Sequence, residues 1–196
     1  MISAIPNMNL EQEITRKRRA QRFNLWLGMI GMFMMFAALS SGFIVYTASS
    51  PDKGLKTILP DTFIYSTIVI VVSSITMHLA FSAIKKGNVK LQQLLVLMTT
   101  ILGIVFFVLQ VNSWGILTER GVYFVNTNAS QSFIYIFTGM HLAHIIGGLW
   151  VLLRCYILSL KSSVELNIFR TELATIFWHF LDFVWLFIYV FLLLNQ

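Results

Sequence analysis

Five long intervals without charged residues dominate this sequence of 196 residues. They comprise 29 residues between Arg22 and Asp52, 23 between Asp61 and Lys85, 28 between Lys90 and Glu119, 33 between Arg120 and Arg154, and a final 24-residue stretch, 173–196, interrupted only by Asp182. A helix needs about 20 apolar residues to cross a bilayer, so each interval holds one such helix and none holds two. The pattern predicts an all-α polytopic membrane protein, a bundle of five transmembrane helices.

The composition supports this fold class. Hydrophobic residues make up 57% of the chain and charged residues 11%, whereas soluble domains carry about 25% charged residues. This excludes a soluble enzyme and a disordered chain. The net charge of +6 is better explained by cytoplasmic loops than by a nucleic-acid partner. Cys155 is the only cysteine, which excludes an internal disulfide and a cysteine-rich metal site.

The charges also predict the limits and the orientation of the helices. We expect helices at 23–47, 62–84, 91–114, 132–158 and 172–194, so that a basic cytoplasmic segment, 1–22, precedes a membrane domain, 23–196. Eleven Lys and Arg residues lie in the N-terminal segment and the second and fourth loops, against three on the other side: Lys53, Lys56 and Arg120. The positive-inside rule then predicts a cytoplasmic N-terminus and a periplasmic C-terminus.

One face of the fifth predicted helix is polar. Its polar residues are separated by three or four positions, and once by seven, so they lie on the same side of the helix. These residues are Glu172, Thr175, His179, Asp182 and Tyr189. Asp182 cannot face lipid as a bare carboxylate, and His179, one turn earlier, is its nearest candidate partner. The pair is either a proton relay or a structural contact that ties this helix to a neighbour.

Histidines on the other helices allow two interpretations. His141 and His144 lie on one turn of the fourth helix, His78 lies on the second, and His179 on the fifth. A haem or copper site needs axial ligands from opposed helices, which these four side chains could supply in a two-helix arrangement. The alternative is structural hydrogen bonding within the bundle.

Small residues and a basic residue mark two further features of the fourth helix. Gly139, Ala143 and Gly147 recur at four-residue steps, a pattern that lets another helix approach closely and predicts a packed interface. Arg154 lies on the predicted inner rim. It is a candidate for contact with anionic lipid headgroups, or it serves only to set the topology.

Two segments carry a family resemblance. The stretch 178–190, which reads WHFLDFVWLFIYV, resembles the last-helix signature of subunit III of the haem–copper oxidases, and Glu172 lies where that family often has a glutamate. The stretch 138–148, TGMHLAHIIGG, is similar to its TG-x-H-x-x-H-x-x-G segment. With SSIT at 73–76, KKGN at 85–88 and LQ at 109–110, the resemblance extends in order along essentially the whole chain.

The resemblance implies a short, five-helix bacterial form that lacks the first two helices of longer members. It implies an accessory, non-catalytic subunit of a proton-pumping terminal oxidase of the cytochrome c oxidase type, located in the bacterial inner membrane. Such a subunit binds no cofactor, because haem and copper belong to subunits I and II. Its implied partners are subunit I as the main contact, subunit II and phospholipids; whether the assembly joins a larger respiratory supercomplex stays open. Its implied role is to support proton uptake and sustained turnover.

Under this resemblance, the intramembrane polar residues shape internal contacts and lipid sites, and none is catalytic. One position departs from the family pattern. Many relatives have a buried glutamate in the first helix of this region, and aligning residues 25–27 with the family phrase places Met32 at that position. Asp182 is then the only carboxylate expected in mid-membrane.

Alternatives to this function remain open. Sister branches of the family serve quinol oxidases or accompany nitric oxide reductases. Outside the family, the His179 and Asp182 face would suit a stand-alone transporter, and the histidines would suit a small b-type cytochrome.

Overall fold

The computed structural model describes residues 5–49, 54–55, 59–125, 128–161 and 163–196, with side chains from residue 11 onward. Within these ranges all regular structure is helical: α1 (Ile5–Ala48), α2 (Thr62–Lys85), α3 (Val89–Glu119), α4 (Ala129–Ser159) and α5 (Val164–Leu194). Each of the five is long and apolar enough to cross a membrane, which confirms the predicted all-α fold. Lys53 and Lys56, assigned above to the outer side, lie outside the described residues.

All five helices extend beyond the predicted ranges. The helix α1 begins at Ile5 instead of 23, α3 ends at Glu119 instead of 114, and α5 begins at Val164 instead of 172. Charges limit how much of a helix lies in hydrocarbon, but Arg, Lys, Glu and Gln are favourable helix residues in water. At about 1.5 Å per residue, α1 is about twice as long as a hydrocarbon layer of about 30 Å is thick. Its first turns therefore extend beyond the membrane.

Local capping explains where α3 and α4 begin. The side chain of Asn88 accepts a hydrogen bond from the Leu91 amide at 3.1 Å. Asn128 accepts one from the Ser130 amide at 3.1 Å, so α4 begins at residue 129 and not at 132, because polar residues that resemble a loop instead cap a helix. Gly87 and Gly121, which follow α2 and α3, adopt positive φ angles of 76° and 78° that glycine takes without strain.

Four helices form the core, and α1 packs against its side. The helix α2 packs on α3 and α5, α4 packs on the same two helices, and α1 contacts α4 and α5 less extensively. The largest fully buried side chains are Trp178 and Trp185 of α5. Trp185 stacks on Phe63 at 5.9 Å between ring centroids and meets the edge of Phe106 at 4.9 Å. Aromatic rings from α2, α3 and α5 thus fill the centre of the bundle.

Phenylalanines attach α1 to the core. Phe36 and Phe43 are buried, and the Phe43 ring contacts Phe133 at 5.6 Å and Phe191 at 5.4 Å. Met32, predicted above to stand in place of a family glutamate, is half-buried and packs against the core. A thioether needs no hydrogen-bond partner, so this residue is compatible with the apolar packing of α1.

Two glycines let α5 approach its neighbours. A Cβ on Gly103 would lie 2.7 Å from Trp178 Cη2 and 2.8 Å from Leu149 Cδ2. A Cβ on Gly148 would lie 2.7 Å from Leu181 Cδ1 and 3.1 Å from the Trp178 ring. The indole of Trp178 therefore occupies space that only glycine leaves open on α3 and α4.

The stripe of Gly139, Ala143 and Gly147 does not pack closely against another helix of this chain, unlike Gly103 and Gly148. Gly147 has open space around a built Cβ, Gly139 meets only the Trp114 ring at 3.8 Å, and Ala143 is exposed. Within the described part of the chain this stripe is not the closely packed face of α4, since Gly148 takes that role. Its use as an interface is therefore a prediction about a contact outside this chain.

We predict that Gly103→Ala destabilises the bundle by about 1–3 kcal/mol, because the buried Trp178 ring must shift. Gly115→Ala on the same helix meets nothing within 4 Å and serves as the matched control. Thermal unfolding of the purified chain in detergent measures both variants. Equal midpoints for Gly103→Ala and Gly115→Ala would contradict the close approach described here.

Candidate functional site

A row of hydrogen bonds joins α5 to α2. Trp178 Nε1 donates to Ser73 Oγ at 3.0 Å, and Trp185 Nε1 donates to Thr67 Oγ1 at 3.0 Å. Between them, His179 Nδ1 and Ser74 Oγ lie 2.6 Å apart. We call this row, together with Asp182 and His78, the α2–α5 polar seam. Each pair lets two polar groups satisfy each other away from water, as the bilayer requires.

Asp182 lies inside the seam, next to His179. The residue is only 4% exposed, and its Oδ2 atom is 3.8 Å from His179 Nδ1. The structure thus brings together the two residues that the sequence paired. Neither carboxyl oxygen has a hydrogen-bond partner among the described residues. Because His179 bonds to Ser74 on another helix, the group ties α5 to α2 whether or not it also exchanges protons.

His78 extends the seam to the outside of the bundle. Its ring centroid lies 6.2 Å from that of His179, and its side chain is exposed on the surface of α2. The seam therefore runs from a buried carboxyl group, through a half-buried imidazole, to an exposed one.

His141 occupies a cage of aromatic rings. It is fully buried, and its ring centroid lies 5.2 Å from Trp185, 5.8 Å from Phe106 and 6.5 Å from Phe36. Neither ring nitrogen has a hydrogen-bond partner in the described structure. The structural hydrogen bonding considered for His141 is thus not seen, and rings from α1, α3 and α5 surround it instead.

His144 and the remaining histidines do not converge. His144 Nδ1 lies 2.7 Å from the Met140 carbonyl oxygen of its own helix, and its ring lies beside Phe36 at 6.0 Å. Of the four histidines, the ring contacts pair only His78 with His179. Over the described residues, no three His, Cys, Asp or Glu side chains are grouped as metal ligands would be.

Uncharged polar contacts between α3 and its neighbours were not anticipated from the sequence. Gln110 Nε2 donates to Ser66 Oγ at 2.7 Å, and the Thr76 and Thr99 hydroxyls lie 2.8 Å apart. The signal was available in the sequence, because the buried positions Gln92, Thr99, Gly103, Phe106 and Gln110 recur at helical steps of three, four and seven residues. An Asn or Gln on such a stripe indicates an interhelical hydrogen bond.

Glu172 belongs to a different contact from the rest of its predicted face. Its carboxylate accepts a hydrogen bond from Arg22 Nη2 at 2.8 Å, which joins α5 to α1. The guanidinium groups of Arg22 and Arg18 both lie 5.5 Å from the centroid of the Phe169 ring. These cation–π contacts and the ion pair fasten the basic extension of α1 to the beginning of α5.

A cavity of about 590 Å³ opens between α1, α4 and α5. Arg154 and Arg170 lie on its wall, and the rest of the lining is mostly apolar, including Leu25, Leu173 and Phe177. The Arg154 guanidinium also lies 5.2 Å from the Trp150 ring. Positive charge at one part of a mostly apolar groove suits an amphipathic anion.

Comparison with known proteins identifies relatives of this chain. The family model described as cytochrome c oxidase subunit III matches residues 22–195. Cytochrome c oxidase subunit 3 of Alkalihalophilus pseudofirmus is 28% identical over 91% of this chain and 88% of its own length. The Loxodonta africana protein of the same name is 32% identical over 71% of this chain and 53% of its own length. Cytochrome bo(3) ubiquinol oxidase subunit 3 of Buchnera aphidicola is 27% identical over 91% of this chain and 95% of its own length.

We predict that Trp185→Phe lowers the stability of the bundle by at least about 1 kcal/mol, because the N–H bond to Thr67 is lost and the smaller phenyl ring leaves a cavity at this fully buried position. Trp150→Phe is the control, since Trp150 is 58% exposed. Thermal unfolding in detergent distinguishes the two variants. An unchanged midpoint for Trp185→Phe would show that this hydrogen bond does not stabilise the seam.

Proposed function

Since the chain belongs to the cytochrome c oxidase subunit III family, we propose that it acts as a non-catalytic, cofactor-free accessory subunit of a proton-pumping terminal oxidase. The observation that carries this proposal is the family match over residues 22–195. The oxidase reduces oxygen to water in aerobic respiration, and this chain supports proton uptake and sustained turnover of that reaction.

The interior of the bundle supports a structural role. Trp178, His179 and Trp185 use their polar atoms in contacts with α2, and aromatic rings enclose His141. A haem needs space and axial ligands, whereas side chains fill this region. We therefore assign haem and copper to partner subunits I and II.

We place the assembly in the bacterial inner membrane, with subunit I as the main contact, subunit II as a further partner and the N-terminus in the cytoplasm. The Arg22–Glu172 ion pair supports the orientation, because it puts the basic part of α1 beside the beginning of α5. Both then belong to the side that carries most of the Lys and Arg residues. The stripe of Gly139, Ala143 and Gly147 on α4 offers one surface for a partner helix. We further propose that the complete oxidase joins a larger respiratory supercomplex.

The cavity between α1, α4 and α5 supports a second part of the proposal, a bound phospholipid. Arg154 and Arg170 would meet the phosphate, while Leu25, Leu173 and Phe177 would contact the acyl chains. An anionic headgroup gains most from this arrangement, because basic residues near the membrane surface attract it.

A quinol-oxidising complex is the second candidate, since two relatives carry the name cytochrome bo(3) ubiquinol oxidase subunit 3. The two candidates differ in electron donor. The purified complex would oxidise reduced cytochrome c in the first case and a quinol in the second, and parallel assays with both donors distinguish them.

We predict that this chain, isolated from native membranes in mild detergent, brings down larger subunits with haem bands in a reduced-minus-oxidised spectrum. The bands are expected to disappear when this chain is separated from those subunits, because its own interior holds no haem. Haem that stays with the separated chain would contradict the proposal in favour of a small cytochrome. Recovery without haem or partners would favour a stand-alone transporter.

We predict that Asp182→Ala weakens assembly or shortens sustained turnover more than it lowers the initial rate of oxygen reduction, because Asp182 lies in the seam between helices. Oxygen consumption followed from the first turnovers until inactivation measures both effects. Asp182→Asn, which keeps the size and a polar group, is the control. Immediate and complete loss of activity in a fully assembled Asp182→Ala complex would contradict a non-catalytic role.

A further inference from the structure

An imidazole faces outward at membrane depth on α2. His78 is exposed, and its neighbours on the surface are apolar, with Ile75 56% and Leu79 49% exposed. It precedes Lys85, the last residue of α2, by seven residues, which is about 10 Å along a helix axis. His78 therefore lies about two helical turns inside the charged end of α2, among apolar neighbours.

Lipid is a poor neighbour for this side chain. Polar and ionisable residues in a transmembrane helix nearly always face other protein or a water-filled cavity, because hydrocarbon offers them no hydrogen bonds. A lysine can extend its long side chain to the headgroups, but an imidazole is too short to span about 10 Å. The described structure gives His78 a ring contact with His179 and no hydrogen bond to its nitrogens.

The outward face of α3 shows the composition of a lipid-facing surface in this protein. Between residues 94 and 111 every exposed side chain of α3 is apolar, and these residues are Leu94, Leu97, Met98, Ile101, Ile104, Val105, Val108 and Val111. Two outward faces of one bundle thus differ in chemistry at similar depth. Over residues 94–111 no exposed side chain of α3 can form a hydrogen bond, whereas the α2 face carries His78.

The exposed imidazole is also continuous with polar groups inside the bundle. His78 lies beside His179, which contacts Ser74 at 2.6 Å and lies 3.8 Å from Asp182. A partner group that bonds to His78 would therefore extend the α2–α5 polar seam across an interface. This continuity favours a partner helix over an apolar lipid tail as the occupant of the surface.

We propose that the α2 surface around His78 docks a transmembrane helix of the haem-bearing oxidase partner, and that this helix presents a hydrogen-bonding or acidic side chain to the His78 imidazole. The inference rests on the proposed function and adds a contact face on α2 to the α4 stripe proposed above. We define this docking surface by Val71, Ile75, His78 and Leu79.

A photo-crosslinking residue tests the position of this surface in the intact complex. We would place benzoylphenylalanine at Ile75, which leaves His78 in place, and at Ile104 on α3 as the matched control, since the two side chains are 56% and 50% exposed. The expected result is a crosslink from position 75 to the haem-bearing subunit and none from position 104. Crosslinks from position 75 only to lipid, or to a second copy of this chain, would overturn the proposal.

Substitution of His78 tests the chemistry of the contact. His78→Leu is expected to lower the amount of haem-bearing partner retained after a detergent wash by about three- to tenfold. This is the change in binding that the loss of one interhelical hydrogen bond in a membrane causes. His78→Gln, which still forms hydrogen bonds, is expected to retain it. Equal retention by the Leu and Gln variants would overturn the hydrogen-bonded contact.

Two outcomes distinguish a wrong docking surface from a wrong proposed function. If the wild-type chain retains the haem-bearing subunit while position 75 does not crosslink to it, the docking surface is wrong and the proposed function stands. If the wild-type chain retains no haem-bearing subunit, the proposed function fails and the docking surface fails with it.

Discussion

The hydrogen bonds between α5 and α2 determine how the rest of the bundle packs. They hold the indoles of Trp178 and Trp185 at fixed depths. Trp178 then lies against Gly103 of α3 and Gly148 of α4, where a Cβ would collide with it or with its neighbours. Because interhelical packing in lipid gains little from the hydrophobic effect, such directional bonds and close backbone approaches select one arrangement of helices. The helix α5 is thus the element to which the others are fitted.

This use of polar groups has a functional consequence. An intramembrane His or Asp generally indicates a transport path, a proton relay or a cofactor site. Here His179 bonds across to α2, aromatic rings enclose His141, and Glu172 pairs with Arg22. Each of the three therefore joins or packs helices within this chain. Such a rigid bundle suits a subunit that supports the reactive centre of another subunit.

The sequence predicts some of these features better than others. Charge-free intervals reveal five spans, because a charge in hydrocarbon is expensive, but they do not reveal helix ends in water, where Arg16 and Glu165 continue a helix. Spacing on one helix pairs His179 with Asp182, since i and i+3 residues are neighbours. It cannot show that Ser74 or Thr67 lies opposite, because such contacts depend on the arrangement of α2 and α5. The same limit explains why Gly148, and not Gly147, meets another helix.

Electron cryo-microscopy of the assembly from native membranes tests the central claim most directly, because it shows both the interior of this chain and its neighbours. The account predicts that the α2–α5 seam joins the two helices as described, that side chains fill the space around His141, and that every haem and copper belongs to another subunit. A haem or metal ion ligated by His141 or His179 of this chain would contradict the account.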